Sequence, residues 1–353
     1  MFQPLRTERL LIRPAGPDDA DALADRRSDP AVAEYQSWAA PFSLEQARQL
    51  LEETGDHSGP QSNSWWMATV TNPADDTILG DLAVHLSSEA RTAEIGYTFS
   101  SRFWGRGYAV EAVEALVEWL FKSHGVTRIQ ATVHPDNVAS ALVAERNGFI
   151  FEGRTRLSHL VGDENSDDVI YGMIRPDWDA WQQRPTMTPE VVELVELTAD
   201  NHRQALALAT HHSQEALVAP MGVSLANMAF PAVVNGHPIV PWARGVVGDG
   251  EWVGFVLMTA RTEHHPEPYL WRFLIDRLHQ RRGIGRRVLD QVIEQVRSEG
   301  ATSLRVHWGE GRGSPRPFYE GFGFKPTGRI SDGEVEARLD LGSLTPGSSE
   351  LVS

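Results

Sequence analysis

Apolar residues recur at helical spacing in two stretches of the chain. The first stretch carries Val110, Val113, Val117 and Leu120, and the second carries Val288, Val292 and Val296. Apolar side chains three or four positions apart share one face of a helix. Each stretch therefore predicts an amphipathic helix that packs against a core through that face.

Shorter runs of β-branched and aromatic residues surround the first helix and are typical of strands. These runs are TERLLIRP, SWWMATV, TILGDLAVHL, TAEIGYTF, RIQATVH, FIFEGRT and DVIYGMI. Polar N-cap residues predict three further helices. One begins at Asp18 and Asp19, one follows Ser43 over 44–53, and a short one runs from Asn137 to Asn147–Gly148.

The order of elements restarts after residues 175–190, a stretch with three prolines and no clean period. The second half reads as strand VVELVEL, helix ADNHRQALALAT, strands WVGFVLMT and YLWRFLID, the second amphipathic helix, and strands SLRVHW and EVEARLDL. The pattern predicts a domain at 1–178, a linker at 179–190, a second domain at 191–341 and a disordered tail at 342–353.

A glycine turn precedes each amphipathic helix, as RFWGRGYAVEAV at 102–113 and QRRGIGRRVL at 280–289. We align Gly105 with Gly283, which lies 178 positions later. A Gly-Phe pair follows in each half, at 148–149 and at 323–324. Strand, turn, helix and strand thus occur twice in the same order, which predicts an internal repeat and a mixed α/β sheet in each half.

Such a turn leaves several backbone N–H groups unpaired at the start of a helix, where the dipole adds partial positive charge. Phosphate or pyrophosphate is the natural ligand. Side chains that could add donors are Arg102, Arg106, Gln280, Arg281 and Arg282. No P-loop string occurs, and Val110 and Val288 stand where a dinucleotide fingerprint needs its third glycine. Nucleotide sites of those two kinds are therefore excluded.

Composition narrows the choice of partners. The chain has 353 residues and a formal net charge of −16, which disfavours nucleic acid and favours cationic small molecules or basic peptides. It has no cysteine, and the histidine pairs 211–212 and 264–265 lack metal-ligand spacing, so no metal site is expected. No apolar run approaches the ~20 residues of a membrane span. With no signal-peptide pattern at its start, the chain is expected to be cytoplasmic, without a membrane partner.

The motif Arg/Gln-x-x-Gly-x-Gly/Ala, placed between the fourth strand and its helix, resembles the acyl-CoA pyrophosphate loop of the GNAT superfamily of N-acetyltransferases. Both halves match it, as Arg102–Gly105–Gly107 and as Gln280–Gly283–Gly285. The resemblance implies an α/β fold of the α+β type, with two tandem GNAT domains. Each domain would have a mixed, mostly antiparallel sheet flanked by helices.

The family's fourth and fifth strands splay apart and hold acetyl-CoA between them. The resemblance therefore implies acetyl-CoA as co-substrate, with up to two molecules per chain. It also implies either a monomer of two repeated domains or a homodimer. The residues it places on acetyl-CoA are Arg102, Trp104, Gly105, Arg106, Gly107, Tyr108 and Asn137 in the first half, and Gln280, Arg281, Arg282, Gly283, Ile284, Gly285 and Arg286 in the second.

Two branches of the superfamily are resembled. The first half is similar to ribosomal-protein N-terminal alanine acetyltransferases, through RGYAVEAV and NVASALVAERNGF among other stretches. The second half is similar to spermine/spermidine and diamine acetyltransferases, through SQEALVAP, WRFLID and FYEGFGFKPTG. It departs from the family at Arg312, where an asparagine is usual.

Acetyl transfer to an amine needs a base, an oxyanion donor and an acid for the leaving thiolate. The resemblance places the acid at Tyr319, whose equivalent in the first half is Ala144, with Ser140 as substitute. Glu94, on the fourth strand, is a candidate base. Glu215 is a candidate base or an anchor for the acceptor ammonium.

The sequence thus predicts an N-acetyltransferase that moves an acetyl group to the primary amine of a small cationic acceptor. The acceptor could be a polyamine, a diamine or an amine-bearing antibiotic, with the chemistry in the C-terminal half. Two alternatives remain open. The N-terminal half could acetylate a protein or peptide N-terminus, or one half could bind acetyl-CoA without catalysis.

Overall fold

The computed structural model describes residues 2–56, 58–161, 164–311 and 313–342 of the chain. Two compact units follow one another along the sequence, Met1–Gln183 and Arg184–Ser353. Arg312 and most of the tail predicted to be disordered, residues 343–353, lie outside the described residues.

One sheet organises the first unit. Its strands are β1 (Leu5–Arg6), β2 (Leu11–Pro14), β3 (Trp65–Thr71), β4 (Ile78–Leu86), β5 (Thr92–Phe99), β6 (Arg128–Val133), β7 (Ile150–Val161) and β8 (Glu164–Ile174). Its helices are α1 (Ala20–Ser28), α2 (Pro30–Ala33), α3 (Leu44–Thr54), α4 (Tyr108–Trp119), α5 (Val138–Arg146) and α6 (Arg175–Gln183). The strand order is β1-β2-β3-β4-β5-β6-β8-β7, in which β5 and β6 are parallel and the other neighbours are antiparallel.

Local signals in the sequence explain the helix boundaries of this unit. Ser43 caps α3, and its side chain accepts a hydrogen bond from the backbone of Gln46. Asn137 caps α5 in the same way, through the backbone of Ser140. The apolar face of α4 is buried under the sheet, where Val113 and Val117 join the main core.

A second sheet organises the second unit. Its strands are β9 (Val192–Glu196), β12 (Pro241–Gly248), β13 (Glu251–Thr259), β14 (Tyr269–Ile275), β15 (Ser303–Trp308), β16 (Lys325–Ser331) and β17 (Glu334–Asp340), and β10 (Val233–Val234) pairs with β11 (His237–Pro238) as a separate ribbon. Its helices are α7 (His202–Ala207), α8 (Met221–Ala229), α9 (Ile284–Ser298) and α10 (Arg316–Glu320). The sheet order is β16-β17-β15-β14-β13-β12-β9, with β14 and β15 parallel.

Helix α9 covers one face of this sheet. Its buried residues are Ile284, Val288, Leu289, Val292, Ile293 and Val296. They include the three valines whose spacing predicted the helix. The mixed, mostly antiparallel sheet flanked by helices is therefore confirmed for each unit.

The second unit differs from the sequence prediction in several elements, of which α7 and β12 are two. The helix expected over ADNHRQALALAT is only the six residues of α7. Strand β12 was missed because Gly245 and Gly248 lower its strand propensity. Gly245 is needed there, since a Cβ on it would lie 2.1 Å from the ring of Trp252.

The segment expected as a linker, 179–190, also differs from the prediction. Helix α6 continues to Gln183 and buries Trp178 and Trp181 in the first unit. Trp181 packs over Gly148, where a Cβ would lie 2.5 Å from the indole. Further along, the carbonyl of Met187 accepts a hydrogen bond from Arg282 of the second unit.

Candidate active site

The two glycine turns share one backbone conformation. Gly107 precedes α4 with φ of 81°, and Gly283 precedes α9 with φ of 74°. Two residues earlier, Gly105 and Arg281 also have positive φ, at 76° and 62°. Both pairs of equivalent residues are 176 positions apart.

A side-chain contact supports the same correspondence. The indole Nε1 of Trp104 donates to the carbonyl of Phe99 at 2.8 Å. The amide Nε2 of Gln280 donates to the carbonyl of Ile275 at 3.0 Å. Each side chain thus fastens the turn to the end of the preceding strand.

The predicted alignment of the two motifs is therefore wrong by two residues. Gly283 corresponds to Gly107 and not to Gly105, and Trp104 stands where Gln280 does. The spacing of glycines was ambiguous because the first turn carries an extra glycine, at the position of Arg281. Gly285 corresponds to Ala109.

Both turns fit a pyrophosphate group. Neither N-cap glycine has a side chain to cap its helix, so first-turn N–H groups of α4 and α9 remain for an anion. Exposed cations lie close by, Arg102 and Arg106 in the first turn and Arg281 and Arg286 in the second. These side chains supply the positive charge that a phosphate site requires.

Arg282 has a different place from the one predicted. It is buried, its Nε donates to the carbonyl of Met187 at 2.7 Å, and its Nη1 lies 2.7 Å from Nδ1 of His279. Burial lowers the pKa of His279, so the neutral ring can accept that hydrogen bond. Arg282 therefore supports the turn from behind.

The strands that precede and follow each turn separate as predicted for the family. Strand β14 pairs with β15 only at Tyr269 and Leu270, among the described residues, although both strands continue. In the described part of the first unit, β5 pairs with β6 only over Thr92–Glu94. A gap opens beyond these pairs in each sheet.

A cavity of about 490 Å³ occupies this region of the second unit. Its lining includes the glycine turn, the splayed part of β14, Gln214, His307 and Tyr319. The volume lies within the range of ordinary ligand pockets. The side chains that the cavity brings together come from five separate parts of the chain.

Tyr319 lies at the wall of this cavity and is only 7% exposed. Its ring stacks on Trp308, with centroids 5.9 Å apart and planes 9° from parallel. Burial raises the pKa of Tyr319 above its usual value. Among the described residues its hydroxyl has no recorded hydrogen-bond partner, so it is a protonated donor available to a ligand.

Ala144 occupies the place of Tyr319 in the first unit, as predicted. The backbone N–H of Phe149 donates to the carbonyl of Ala144 at 3.2 Å, and that of Phe324 donates to Tyr319 at the same distance. The two positions therefore have the same relation to their Gly-Phe pairs.

Ser140 lies beside a tyrosine that the sequence analysis missed. Its Oγ donates to the hydroxyl of Tyr97 at 3.1 Å, and that hydroxyl donates to the Ser140 carbonyl at 2.9 Å. Burial raises the pKa of Tyr97 to about 12. Tyr97 comes from the splayed strand β5, so no motif next to the Gly-Phe pair could have revealed it.

Glu94 lies at the point where β5 and β6 separate. Its carboxylate accepts hydrogen bonds from Thr132 at 3.2 Å and from Gln130 at 3.5 Å. These contacts across the strands are what a structural carboxylate would make. Its role as a base stays a prediction.

Glu215 does not lie on the described wall of the cavity. Its carboxylate is 2.8 Å from Nδ1 of His212, and the side chain is about half exposed. Gln214 lines the cavity instead and exchanges hydrogen bonds with Gln280. Gln214 ends the 3₁₀ turn His212–Gln214 and Glu215 follows it. The sequence could not show which of these two neighbouring side chains faces the cavity.

Strand β14 of the second sheet and the corresponding strand β5 of the first sheet differ in how regularly they pair with the preceding strand. Pairing of β13 with β14 shifts register so that Trp271 is left out between Leu270 and Arg272, which is a β-bulge. Strands β4 and β5 pair without a shift over all the described residues, from Gly80 to Leu86. A bulge re-aims the backbone groups beside it, and only the second sheet has one at this place.

Within residues 2–56, 58–161, 164–311 and 313–342, no three or more histidine or acidic side chains are grouped so that they could hold a metal ion. No helix in these ranges has the length and apolar character that crossing a bilayer would require.

Comparison with known families identifies both units. A profile described as an acetyltransferase (GNAT) domain matches residues 9–150, and one described as the acetyltransferase (GNAT) family matches 223–324. The chain is 33% identical over 179 residues to the uncharacterized N-acetyltransferase p20 of Bacillus licheniformis, covering 50% of this chain and 99% of that protein.

Two further proteins are similar to parts of the chain. The [ribosomal protein uS5]-alanine N-acetyltransferase of Escherichia coli is 29% identical over 186 residues, 49% of this chain and 92% of that one. A solved GNAT acetyltransferase from Bacillus anthracis is 27% identical, with a TM-score of 0.44 over 49% of this chain and 98% of its own.

The chain thus belongs to the GNAT acetyltransferases. It is an acyltransferase with two GNAT domains in tandem, and acetyl-CoA is the acetyl donor of this class. Its N-terminal half matches ribosomal-protein acetyltransferases. The likeness of the C-terminal half to spermine/spermidine acetyltransferases stays a prediction.

Proposed function

We propose that the C-terminal unit transfers the acetyl group of acetyl-CoA to the primary amine of a small cationic acceptor, with Tyr319 as general acid. The observation that carries this proposal is the cavity that joins the second glycine turn to the Tyr319 hydroxyl. In the first unit, Ala144 stands in the place of that hydroxyl.

The chemistry follows from the residues around the cavity. N–H groups at the start of α9, with Arg281 and Arg286, hold the phosphates of the donor. The thioester then lies in the gap between β14 and β15, and the bulge at Trp271 directs backbone donors toward its carbonyl oxygen. Tyr319 gives its proton to the departing sulfur, because a phenol is protonated at pH 7 and the thiolate is a base.

The net charge of the protein and the residues that line the cavity indicate which acceptors would fit. The net charge of −16 attracts a cation to the protein as a whole. No carboxylate occurs among the described residues of the cavity wall. A second ammonium would therefore find no ion pair inside, which favours acceptors that bring only their reacting amine into the cavity.

Tyr319→Phe tests this proposal. Calorimetry with acetyl-CoA and thiol release with spermidine and smaller amines are measured on the full chain, with Tyr35→Phe as the matched control. Loss of a general acid lowers kcat by about 10²–10⁴-fold, while acetyl-CoA affinity should change little. Amine-dependent release at the unmodified rate in Tyr319→Phe would refute the assignment.

A second candidate is acetylation of a protein or peptide N-terminus by the N-terminal unit. It is supported by the relatives of this half and by the Tyr97–Ser140 pair, which could supply an acid in place of Ala144. The same assay includes a peptide with N-terminal alanine. Thiol release with the peptide that persists in Tyr319→Phe would place activity in the N-terminal unit. If neither acceptor is used there, that unit is a non-catalytic acetyl-CoA-binding module.

A further inference from the structure

The cavity of the second unit is lined by residues from both faces of its sheet. Side chains along β15 alternate, so Trp308 and His307 point to opposite faces. Tyr319 stacks on Trp308 and therefore lies on the first face, with α9. His307 lies on the other face, yet both residues line the same cavity. The cavity must pass between the splayed strands.

On its own face His307 has one hydrogen-bond partner and one nearby carboxylate. Its Nδ1 lies 3.2 Å from the hydroxyl of Tyr269 on β14. Its Nε2 lies 3.6 Å from Oε2 of Glu336, which is directly opposite it on β17. The second oxygen of Glu336 accepts a hydrogen bond from Thr327 at 2.8 Å. The imidazole is held between a phenol and a carboxylate.

We propose that His307 is the general base for the acceptor amine, with Tyr269 and Glu336 as positioning residues. This rests on the function proposed for the C-terminal unit. A carboxylate next to Nε2 favours the tautomer with its proton there, which leaves the lone pair on Nδ1. Nδ1 then accepts the proton of the incoming ammonium as the Tyr269 hydroxyl turns from donor to acceptor, and the imidazolium is stabilised by Glu336.

The protonation states of Glu336 and Tyr269 agree with this assignment. Burial would raise the pKa of Glu336, but Thr327, His307 and the charge of Arg305 together hold it below its usual value. Glu336 is therefore anionic. Burial raises the pKa of Tyr269 to about 12, so its hydroxyl is a donor toward Nδ1.

The other charged groups around this cluster come from three strands. Arg305 of β15 contacts Glu336 at 3.4 Å and Glu267 at 3.6 Å. Arg272 of β14 and Glu334 of β17 act on Tyr269 by their charge. Cations and carboxylates thus surround His307, and among these described residues His307 is the one that lines the cavity.

The two proton transfers of the reaction take place on opposite faces of the sheet. The amine loses a proton to His307 Nδ1, and its nitrogen bonds to the thioester carbon from that face. The C–S bond breaks, its electron pair stays on sulfur, and the sulfur takes the Tyr319 proton on the opposite face. The acetylated nitrogen loses its second proton to water, and water returns a proton to the Tyr319 phenolate. The products are the N-acetylated amine and CoA thiol, and His307 is left as the imidazolium.

His307→Gln is the decisive variant, and pH is the decisive variable. A lysine-like amine of pKa ~10.4 has only about one molecule in 2,500 unprotonated at pH 7. We expect His307→Gln to lower kcat/KM for spermidine by about 10²–10⁴-fold at pH 7. The loss should shrink toward pH 10, where the amine deprotonates by itself. A merely structural role would give the same loss at every pH.

Controls separate this inference from the proposed function. His202→Gln, at the first residue of α7 and outside the cavity lining, should keep the wild-type profile. Amine transfer that depends on Tyr319 but is unchanged in His307→Gln would overturn the role of His307 alone. Transfer that is absent from every form, or insensitive to Tyr319→Phe, would remove the proposed function and this role with it.

A measurement independent of turnover tests the positioning. ¹⁵N NMR of histidine side chains, with His307 assigned by its loss in His307→Gln, should show a proton on Nε2 in the neutral ring. Glu336→Gln should shift that population toward the Nδ1-protonated form, and Tyr269→Phe should shift it in the same direction because it removes the donor to Nδ1. An Nδ1-protonated ring in the unmodified protein would refute the proposal.

Discussion

Gly283 and Gly285 lie two residues apart in one turn, but different physical demands act on them. Gly283 has φ of 74°, a left-handed conformation that costs a residue with a Cβ about 1 kcal/mol or more. Gly285 is helical, and a Cβ on it would meet Phe273 and Phe318 at an ordinary 3.7 Å. The first unit already has Ala109 at the equivalent place.

We therefore expect Gly283→Ala and Gly285→Ala to behave differently. Gly283→Ala should lower the free energy of unfolding by about 1 kcal/mol and weaken acetyl-CoA binding, because its N–H groups would be displaced from the anion. Gly285→Ala should do neither. Thermal unfolding and calorimetry measure both effects, and equal losses in the two variants would contradict this account.

The sequence could locate Tyr319 but not His307. Tyr319 lies a few residues before a Gly-Phe pair, so a local motif marks it. The neighbours of His307 lie on β14 and β17. Its proposed role therefore depends on strand pairing, which no local sequence pattern encodes. Tyr97 was missed for the same reason. Arg282 was assigned to the ligand because a sequence cannot show which of three neighbouring arginines is buried.

Among the elements, helix α1 of the first unit depends on one carboxylate at its start. Asp19 is buried and accepts hydrogen bonds from both Nη atoms of Arg13, at 2.8 and 2.7 Å, and from Thr69 at 2.7 Å. Its neighbour Asp18 is exposed. The sequence predicted both as helix-starting residues, but only Asp19 ties the helix to β2 and β3.

Asp19→Asn should destabilise the first unit by about 2–3 kcal/mol, since Arg13 loses a charged partner. Burial opposes ionisation of Asp19, but Arg13, Gly16 and Thr69 outweigh it and lower its pKa. A lowered pKa gives stability that is full above the unfolded value near 3.9 and is lost as pH falls through the folded value.

Urea unfolding at pH 7 and pH 3 measures this difference. The gap between wild type and Asp19→Asn should narrow at the lower pH. Asp18→Asn is the control and should change stability by less than about 0.5 kcal/mol at either pH. A gap that is equally wide at both pH values would show that Asp19 acts by packing and not by charge.

Strand positions were predicted better than strand registers. Composition and turn residues located β3 to β6 and β13 to β15, because each run of β-branched and aromatic residues is bounded by polar turns. The bulge at Trp271 was not foreseen, since a bulge is a relation between two strands. Strand β12 was hidden by the glycines that accommodate Trp252.

At the scale of the whole molecule, the duplication keeps one part of the site and varies another. Both glycine turns retain the left-handed residues, the strand-end hydrogen bond and the uncapped helix that an anion requires. The acid differs, with Tyr319 in one unit and Ala144 in the other. Two domains could be predicted from the repeated order of elements. The difference between them could be recognised only after the backbone conformations of the two turns had been aligned residue by residue.

Two intact turns predict two acetyl-CoA molecules per chain. Calorimetry on the full chain should give a stoichiometry near two, which falls to one in Gly107→Ala or in Gly283→Ala and to none when both are changed. Gly107→Ala adds strain at φ of 81° and places a Cβ 3.4 Å from Nη2 of Arg9, whose Nη1 donates to the carbonyl of Arg106. Amine-dependent thiol release should be lost only with Gly283→Ala. The alternative outcome is a stoichiometry of one that disappears with Gly283→Ala and survives Gly107→Ala. The first turn would then keep the shape of the site without binding acetyl-CoA, and the N-terminal unit would contribute no acetyl donor of its own.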